Sequence, residues 1–184
     1  MKKENNVMYV LRLALTLLII AGVMAAALAG VNSVTAPIIE KLTYEKTQAA
    51  VSAVLPGGGD EVDFPAVDAG APINTVYKGE NGYAVEVGPS GFDNTITMMV
   101  GVDYEGAVTG ISIIDHSETA GLGAVAAATT AAGEAFRGQF KGLTGSVAVS
   151  KDGGQVDAIT SATITSRAVC SGVNAALAVV AAMG

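Results

Sequence analysis

Thr95–Asp115 reads TITMMVGVDYEGAVTGISIID. Two runs, Thr95–Asp103 and Ala107–Asp115, are rich in Val, Ile and Thr, the side chains that suit a pleated surface. Tyr104-Glu105-Gly106 separates them. So short a connection predicts an antiparallel hairpin. Just upstream, Tyr83, Val85 and Val87 alternate with Ala84, Glu86 and Gly88, which predicts a half-buried strand. Gly88-Pro89-Ser90-Gly91 ends that strand in a turn. The Met98-Met99 pair inside the hairpin reads as core packing.

Helices flank this β-rich centre. Thr35–Leu55 carries Ile38, Ile39, Leu42, Ala49, Val51 and Leu55 at a rough helical period, with Pro37 suited to a first turn. Pro56-Gly57-Gly58-Gly59 stops it, and Asp60–Asn74 reads as loop or short irregular strand. After the Gly121–Gly123 break, Ala124–Phe140 is predicted helical, and Val147–Val149 a short strand. The tail places Val169, Val173, Ala176, Leu177 and Val180 on one helical face. The order of helix, strands, helix, strand and helix gives an α+β fold, a mainly antiparallel sheet flanked by helices.

The N-terminal segment differs in kind. Leu13–Val31 is an uncharged run, LALTLLIIAGVMAAALAGV. As a helix rising ~1.5 Å per residue it would span about 28 Å, close to the hydrocarbon thickness of a bilayer. Lys2, Lys3 and Arg12 precede the run, and the first basic residue after it is Lys41. The positive-inside rule then puts the N-terminus in the cytoplasm. The expected layout is a cytoplasmic N-terminus and transmembrane helix over 1–34, and an extracytoplasmic domain over 35–184. A cleaved signal peptide ending at Ala27-Leu28-Ala29 is the rival reading, and it exports the same domain.

Hydrophobic residues make up 51% of the 184 residues and charged ones 15%, consistent with a chain that partly meets lipid. Residues 1–34 carry a net charge of +2, and residues 35–184 carry seven basic and sixteen acidic side chains, a net −9. So negative a surface repels phosphate backbones and speaks against nucleic-acid binding. The single cysteine, Cys170, leaves no internal disulfide and no cysteine-ligated metal cluster, and reads as a buried thiol. With one histidine and one cysteine, a zinc site is not expected.

Chemistry concentrates in Asp157-Ala158-Ile159-Thr160-Ser161-Ala162-Thr163, which begins as a short apolar strand and runs into hydroxyl residues before the last helix. Thr160, Ser161, Thr163, Thr165 and Ser166 could serve as helix caps. A helix needs one cap, however, and its N-terminus also suits an anionic phosphate. Arg167 in the first turn could add a charge-assisted contact. A second cluster, Asp115–Gly123, reads DHSETAGLG. His116 there could be a hydrogen-bonded structural residue, Asp115 and Glu118 solvated loop carboxylates, and Gly121 and Gly123 turn residues.

Both clusters carry a resemblance. Asp157–Thr163 resembles the D-x-x-(S/T)-G-A-(T/S) motif of covalent FMN-binding domains, with Asp157, Thr160, Ala162 and Thr163 matching and Ser161 in place of glycine. Thr165, Ser166, Ala168 and Val169 continue the likeness. Asp115–Gly123 resembles the same family's H-x-E-T-P-G-L-G segment through His116, Glu118, Thr119, Gly121, Leu122 and Gly123, with Ala120 in place of proline. FRGQFKG at Phe136–Gly142 is also family-like.

The resemblance implies FMN joined by its phosphate to the Thr163 hydroxyl, installed by a flavin transferase that uses FAD. It implies a flavin site drawn from Asp157, Thr160, Ser161, Ala162, Thr165, Arg167, His116, Glu118, Thr119, Gly121, Leu122 and Gly123, with no catalytic residue beyond the flavin. The membrane anchor and chain length look like the G-subunit type of Rnf ion-translocating ferredoxin:NAD oxidoreductases. The C-subunit type of sodium-translocating NADH:quinone oxidoreductases is the next match. Either implies an electron relay among membrane redox subunits. A freestanding exported flavin reductase and an unflavinated scaffold protein are the alternatives.

Overall fold

The computed structural model describes residues 4–184. Lys2 and Lys3, two of the three basic residues of the topology argument, lie outside them. The chain divides into two compact units, 1–45 and 46–184.

Helix α1 (Glu4–Val54) forms the described part of the first unit, where it is unbroken through the uncharged stretch and through Pro37, and its last residues, from 46, belong to the second. A separate helix starting near Pro37 was expected, and the structure corrects this. A mid-helix proline removes one backbone hydrogen bond and crowds the preceding turn, but a long helix can absorb that loss. The helix from Val7 onward is long and apolar enough to cross a membrane, and its apolar window is unburied.

The second unit is built on a five-stranded sheet: β1 (Asp60–Val62), β2 (Ile73–Gly79), β3 (Gly82–Val87), β4 (Thr97–Asp103) and β5 (Val108–Asp115). Neighbours in sequence are neighbours in the sheet, and every pair is antiparallel. The predicted hairpin is β4–β5. Strand β2 falls partly in the stretch expected as loop. Its Ile-Asn-Thr-Val-Tyr run and the Asn81-Gly82 turn into β3 are the signals that could have found it.

The central strands are covered on both faces. Val85, Val87, Met98 and Val100 pack with Val169, Val173, Ala176 and Val180 of helix α3 (Thr163–Met183). On the other face Ala84 and Met99 pack with Ala50, Val51, Val54 and Leu55 at the end of α1. Met98 and Met99 thus fill opposite cores, as strand alternation requires. Burying Val51, Val54 and Leu55 contributes about 1.5–3 kcal/mol each. A β-bulge leaves Thr109 without a partner residue on β4, since Gly101 pairs with Gly110 and Val102 with Val108. Its hydroxyl donates to the carbonyl of Val54 at 2.6 Å and so closes the end of α1. A side chain at Gly101 would collide with both groups.

Three further expectations are corrected. Ala124–Phe140 is not one helix: a 3-10 turn (Gly123–Ala127) precedes helix α2 (Ala131–Gly138). Thr130 caps α2, and the Arg137 guanidinium donates to the carbonyls of Ala126 and Ala128, fixing the break. Val147–Val149 makes only a single parallel bridge, Val149 to Val156. The Asn174 side-chain amide takes the N–H and C=O of Val147, both at 2.8 Å, in place of a strand partner. The backbone of Asp157 is likewise held by the Gln139 amide, at 2.7 and 3.2 Å, so the expected short strand there is irregular.

Candidate flavin site

Helix α3 starts at Thr163, and Ala162 at its N-cap supplies no side-chain cap. The first helical bond runs from the N–H of Ser166 to the carbonyl of Ala162 at 3.0 Å, so the N–H groups of the preceding turn have no helical acceptor. The hydroxyls do other work than capping. Ser166 Oγ donates to the Ala162 carbonyl and accepts from the N–H of Ile159 at 3.0 Å, which locks the approach to the helix. Thr165 Oγ1 bonds Glu118. Thr160 and Ser161 are exposed in the turn. Thr163 is half-buried, and its hydroxyl accepts from the Lys151 ammonium at 3.2 Å.

Ser161 is the one described non-glycine residue with a positive φ, 62°. That left-handed conformation crowds a Cβ and is routine only for glycine. It explains physically why a glycine would suit this motif position, and it marks Ser161 as a strained substitute.

Glu118 is 8% exposed and ties three segments together. Its Oε1 accepts from the N–H of Phe92 at 2.8 Å and of Asp93 at 3.4 Å, while Oε2 receives the Thr165 hydroxyl. Two glycines make room for it: a Cβ at Gly91 would strike Oε1, and one at Gly123 would strike Oε2 and Thr165 Oγ1. Gly123 therefore permits a close approach, whereas Gly121, at φ 76°, permits a turn. His116 Nδ1 accepts from the Glu118 N–H at 3.2 Å and so shapes the loop. The Thr119 carbonyl accepts from the N–H groups of Leu122 and Ala124.

These ties shape a cleft of about 260 Å³ lined by Phe92, Glu118, Leu122, Ser161, Thr163 and Ile164, among others. Thr119, Gly123, Ala162 and Thr165 complete its wall. Among the described residues of 46–184, the exposed large hydrophobic side chains are Phe92 (64%), Tyr104, Leu122 (40%) and Ile164 (50%). Three of these four stand at this cleft. An exposed apolar rim beside a helix N-terminus suits a ligand with a flat apolar ring and an anionic end.

Other residues named by the sequence lie elsewhere. Asp157 and Thr160 line a separate cleft with Gly121, Val125, Phe136 and Gln139. Arg167 forms a two-pronged ion pair with Asp152, with both nitrogen–oxygen distances at 2.7 Å. The hydrogen bond from Arg167 holds the Asp152 carboxyl below the usual carboxylate range. Lys151 and Phe92 are the site residues that the sequence did not disclose. Cys170 is buried, and that burial pushes its thiol up to about 11. Among the described residues, no group of His, Cys, Asp and Glu could hold a metal ion.

The cleft falls within a recognised unit, since residues 91–178 match the family model described as an FMN-binding domain. The chain is 35% identical to the G subunit of the Na(+)-translocating ferredoxin:NAD(+) oxidoreductase complex of Acetobacterium woodii, over 92% of this chain and 91% of that one. It is 33% identical to the G subunit of the ion-translocating oxidoreductase complex of Methanosarcina acetivorans, over 93% and 94%. It is 32% identical to the G subunit of the proton-translocating ferredoxin:NAD(+) oxidoreductase complex of Clostridium ljungdahlii, over 95% and 92%. With a membrane-length N-terminal helix, an FMN-binding domain and relatives aligned over nearly the whole chain, this protein belongs to the G-subunit family of ion-translocating oxidoreductase complexes.

Proposed function

We propose that the protein carries its FMN covalently, as a phosphoester on Thr163. In this reading the domain relays electrons outside the cytoplasm, between membrane redox subunits that link ferredoxin to NAD. The observation that carries the reading is the setting of Thr163: a half-buried hydroxyl in the first turn of a 21-residue helix, opening on a cleft with an exposed apolar rim. The free N–H groups and dipole of that turn favour a phosphate bonded to Thr163. Phe92, Leu122 and Ile164 offer apolar surface to a flat ring. Glu118 keeps Phe92 and Thr165 in register across the cleft. His116 accepts a backbone N–H and sets the loop that bears Leu122.

When bound, FMN supplies one-electron redox chemistry, and the protein supplies position and surroundings. A cleft of about 260 Å³ lies just below the ~300–1,000 Å³ of pockets that enclose a small ligand. It suits a ring that stays partly accessible to a redox partner. Relatives named for sodium and for protons match this chain about equally, at 35% and 32% identity. The shared residues therefore fit an electron-carrying role better than a choice of ion.

Attachment requires a flavin transferase, and Asp157, exposed and away from the Thr163 cleft, is free to be read by it. The orientation rests on Arg12 together with Lys2 and Lys3: N-terminus in the cytoplasm, residues 35–184 outside. Thr163→Val keeps the shape and removes the hydroxyl. Produced with the transferase, it is expected to show no flavin fluorescence in a denaturing gel while the wild type does. Fluorescence of equal strength in the variant would reject Thr163 as the attachment point.

A further inference from the structure

We propose that Lys151 is the cationic partner of the Thr163 oxygen during and after flavin attachment, and that the Asp152–Arg167 ion pair positions it. This rests on the reading that Thr163 is the attachment point. The Lys151 ammonium donates to Thr163 Oγ1 at 3.2 Å. The next residue, Asp152, grips Arg167, which stands four residues after Thr163 and so on the same face of α3. Two adjacent loop residues thus engage two helix residues one turn apart.

The loop is built to hold that register. The Ser150 N–H donates to the Val156 carbonyl at 2.7 Å, the Gly154 N–H to Val149 at 3.0 Å, and the Val156 N–H to Ala148 at 3.1 Å. Gly153 takes φ 83°, and a Cβ at Gly154 would strike the Ala148 carbonyl. Lys151 therefore projects from a short 3-10 turn, Ser150–Asp152, closed on itself.

The charge balance points the same way. Residues 35–184 carry a net −9, and the incoming group is an anion. Asp152 takes its two hydrogen bonds from Arg167, and the ammonium of Lys151 is the cation within hydrogen-bond distance of the Thr163 oxygen. In the attachment step Thr163 Oγ attacks the flavin-side phosphorus of a flavin adenine dinucleotide. The Oγ–P bond forms, the pyrophosphate P–O bond breaks, and adenosine monophosphate leaves with the bonding pair. The hydroxyl proton passes to a base of the transferase. Lys151 is an ammonium with no acceptor, so it takes no proton. It stabilises negative charge building on Oγ, and then the single charge of the phosphodiester.

The experiment makes wild type, Lys151→Met, Lys151→Arg, Arg167→Met and Thr163→Val full-length protein with the transferase. The flavinylated fraction is followed over time by intact mass, and folding by thermal melting. For Lys151→Met, attachment is expected to slow by about tenfold or more, the scale of losing one charge-assisted hydrogen bond. Its melting should be unchanged. Lys151→Arg is expected to stay within about threefold of wild type, and Arg167→Met to fall between them. Wild-type rates in Lys151→Met would overturn the proposal and leave Thr163 attachment standing. Equal loss in Lys151→Met and Lys151→Arg would mark a packing role and overturn it as well. Flavin on Thr163→Val, or none on wild type, would instead sink the underlying reading.

Discussion

Ser161→Gly should make this protein more stable, against the usual direction of a change to glycine. Ser161 sits at φ 62°, in the turn that leads into Thr163. Holding an L-residue in the left-handed region costs about 1–2 kcal/mol, and glycine avoids that strain. Glycine in turn frees the unfolded chain, which costs ~0.4–1 kcal/mol. The Ser161 side chain is exposed, so little packing is lost. The expected net gain is about 0.5–1 kcal/mol, or a melting temperature higher by ~1–4 °C for a domain of this size. Ser161→Val puts a β-branched side chain at the same φ and should cost more than about 1 kcal/mol. Urea unfolding of the three proteins in detergent, followed by circular dichroism, measures the series. A destabilising glycine, or a valine as stable as serine, would refute the strain assigned to Ser161. Either outcome would mean the turn does not hold residue 161 in the left-handed region.

Five other outcomes are expected. Gly123→Ala drives a methyl into Glu118 Oε2 and Thr165 Oγ1, and should destabilise by about 1–3 kcal/mol in the same urea assay. Glu118→Ala leaves the N–H of Phe92 and the Thr165 hydroxyl without their acceptor and should cost a similar ~1–3 kcal/mol. Cys170, with its thiol raised to about 11 by burial, should resist iodoacetamide at pH 8 in the folded protein and react after denaturation. Its contribution to stability is complete below the ordinary thiol range and is lost as pH rises toward about 11, so an alkaline titration should show declining stability there. A reporter active only outside the cytoplasm, fused after Gly184, should be active, and cytoplasmic activity would reverse the proposed orientation.

The parts of the fold legible in the sequence are those with short-range causes. The β4–β5 hairpin and strand β3 follow from alternation and from turns within a few residues. The buried face of α3 follows from its period: Val169, Val173, Ala176 and Val180 are all in the core. Failures occur where a distant side chain substitutes for the local pattern. Asn174 satisfies Val147, Gln139 satisfies Asp157, and Arg137 holds the break before α2. The site divides the same way. The motif singles out Thr163, which the structure places on the wall of the cleft. The role of Glu118 is not legible locally, because its partner Thr165 is 47 residues away. The ion pair of Arg167 is hidden in the same way, since nothing local names Asp152 as its partner. Lys151 carries no local signal for the same reason, as its place beside Thr163 exists only once the loop closes.

The strand order has a consequence in time. Each strand pairs with the one made just before it, so the whole meander is complete in the nascent chain by Asp115. Such sequence-local pairing closes small loops at low entropic cost and forms early. The cleft draws on Phe92, on Glu118, Thr119, Leu122 and Gly123, and on Ser161 to Thr165, and Thr163, the proposed acceptor, opens the last helix. That helix also covers one face of the finished sheet. The hydroxyl therefore reaches these surroundings only once α3 has been made and has docked on the sheet. Under the proposed attachment, covalent flavin would serve as a receipt for completed folding, because a half-folded copy has a sheet but no docked α3 to present Thr163.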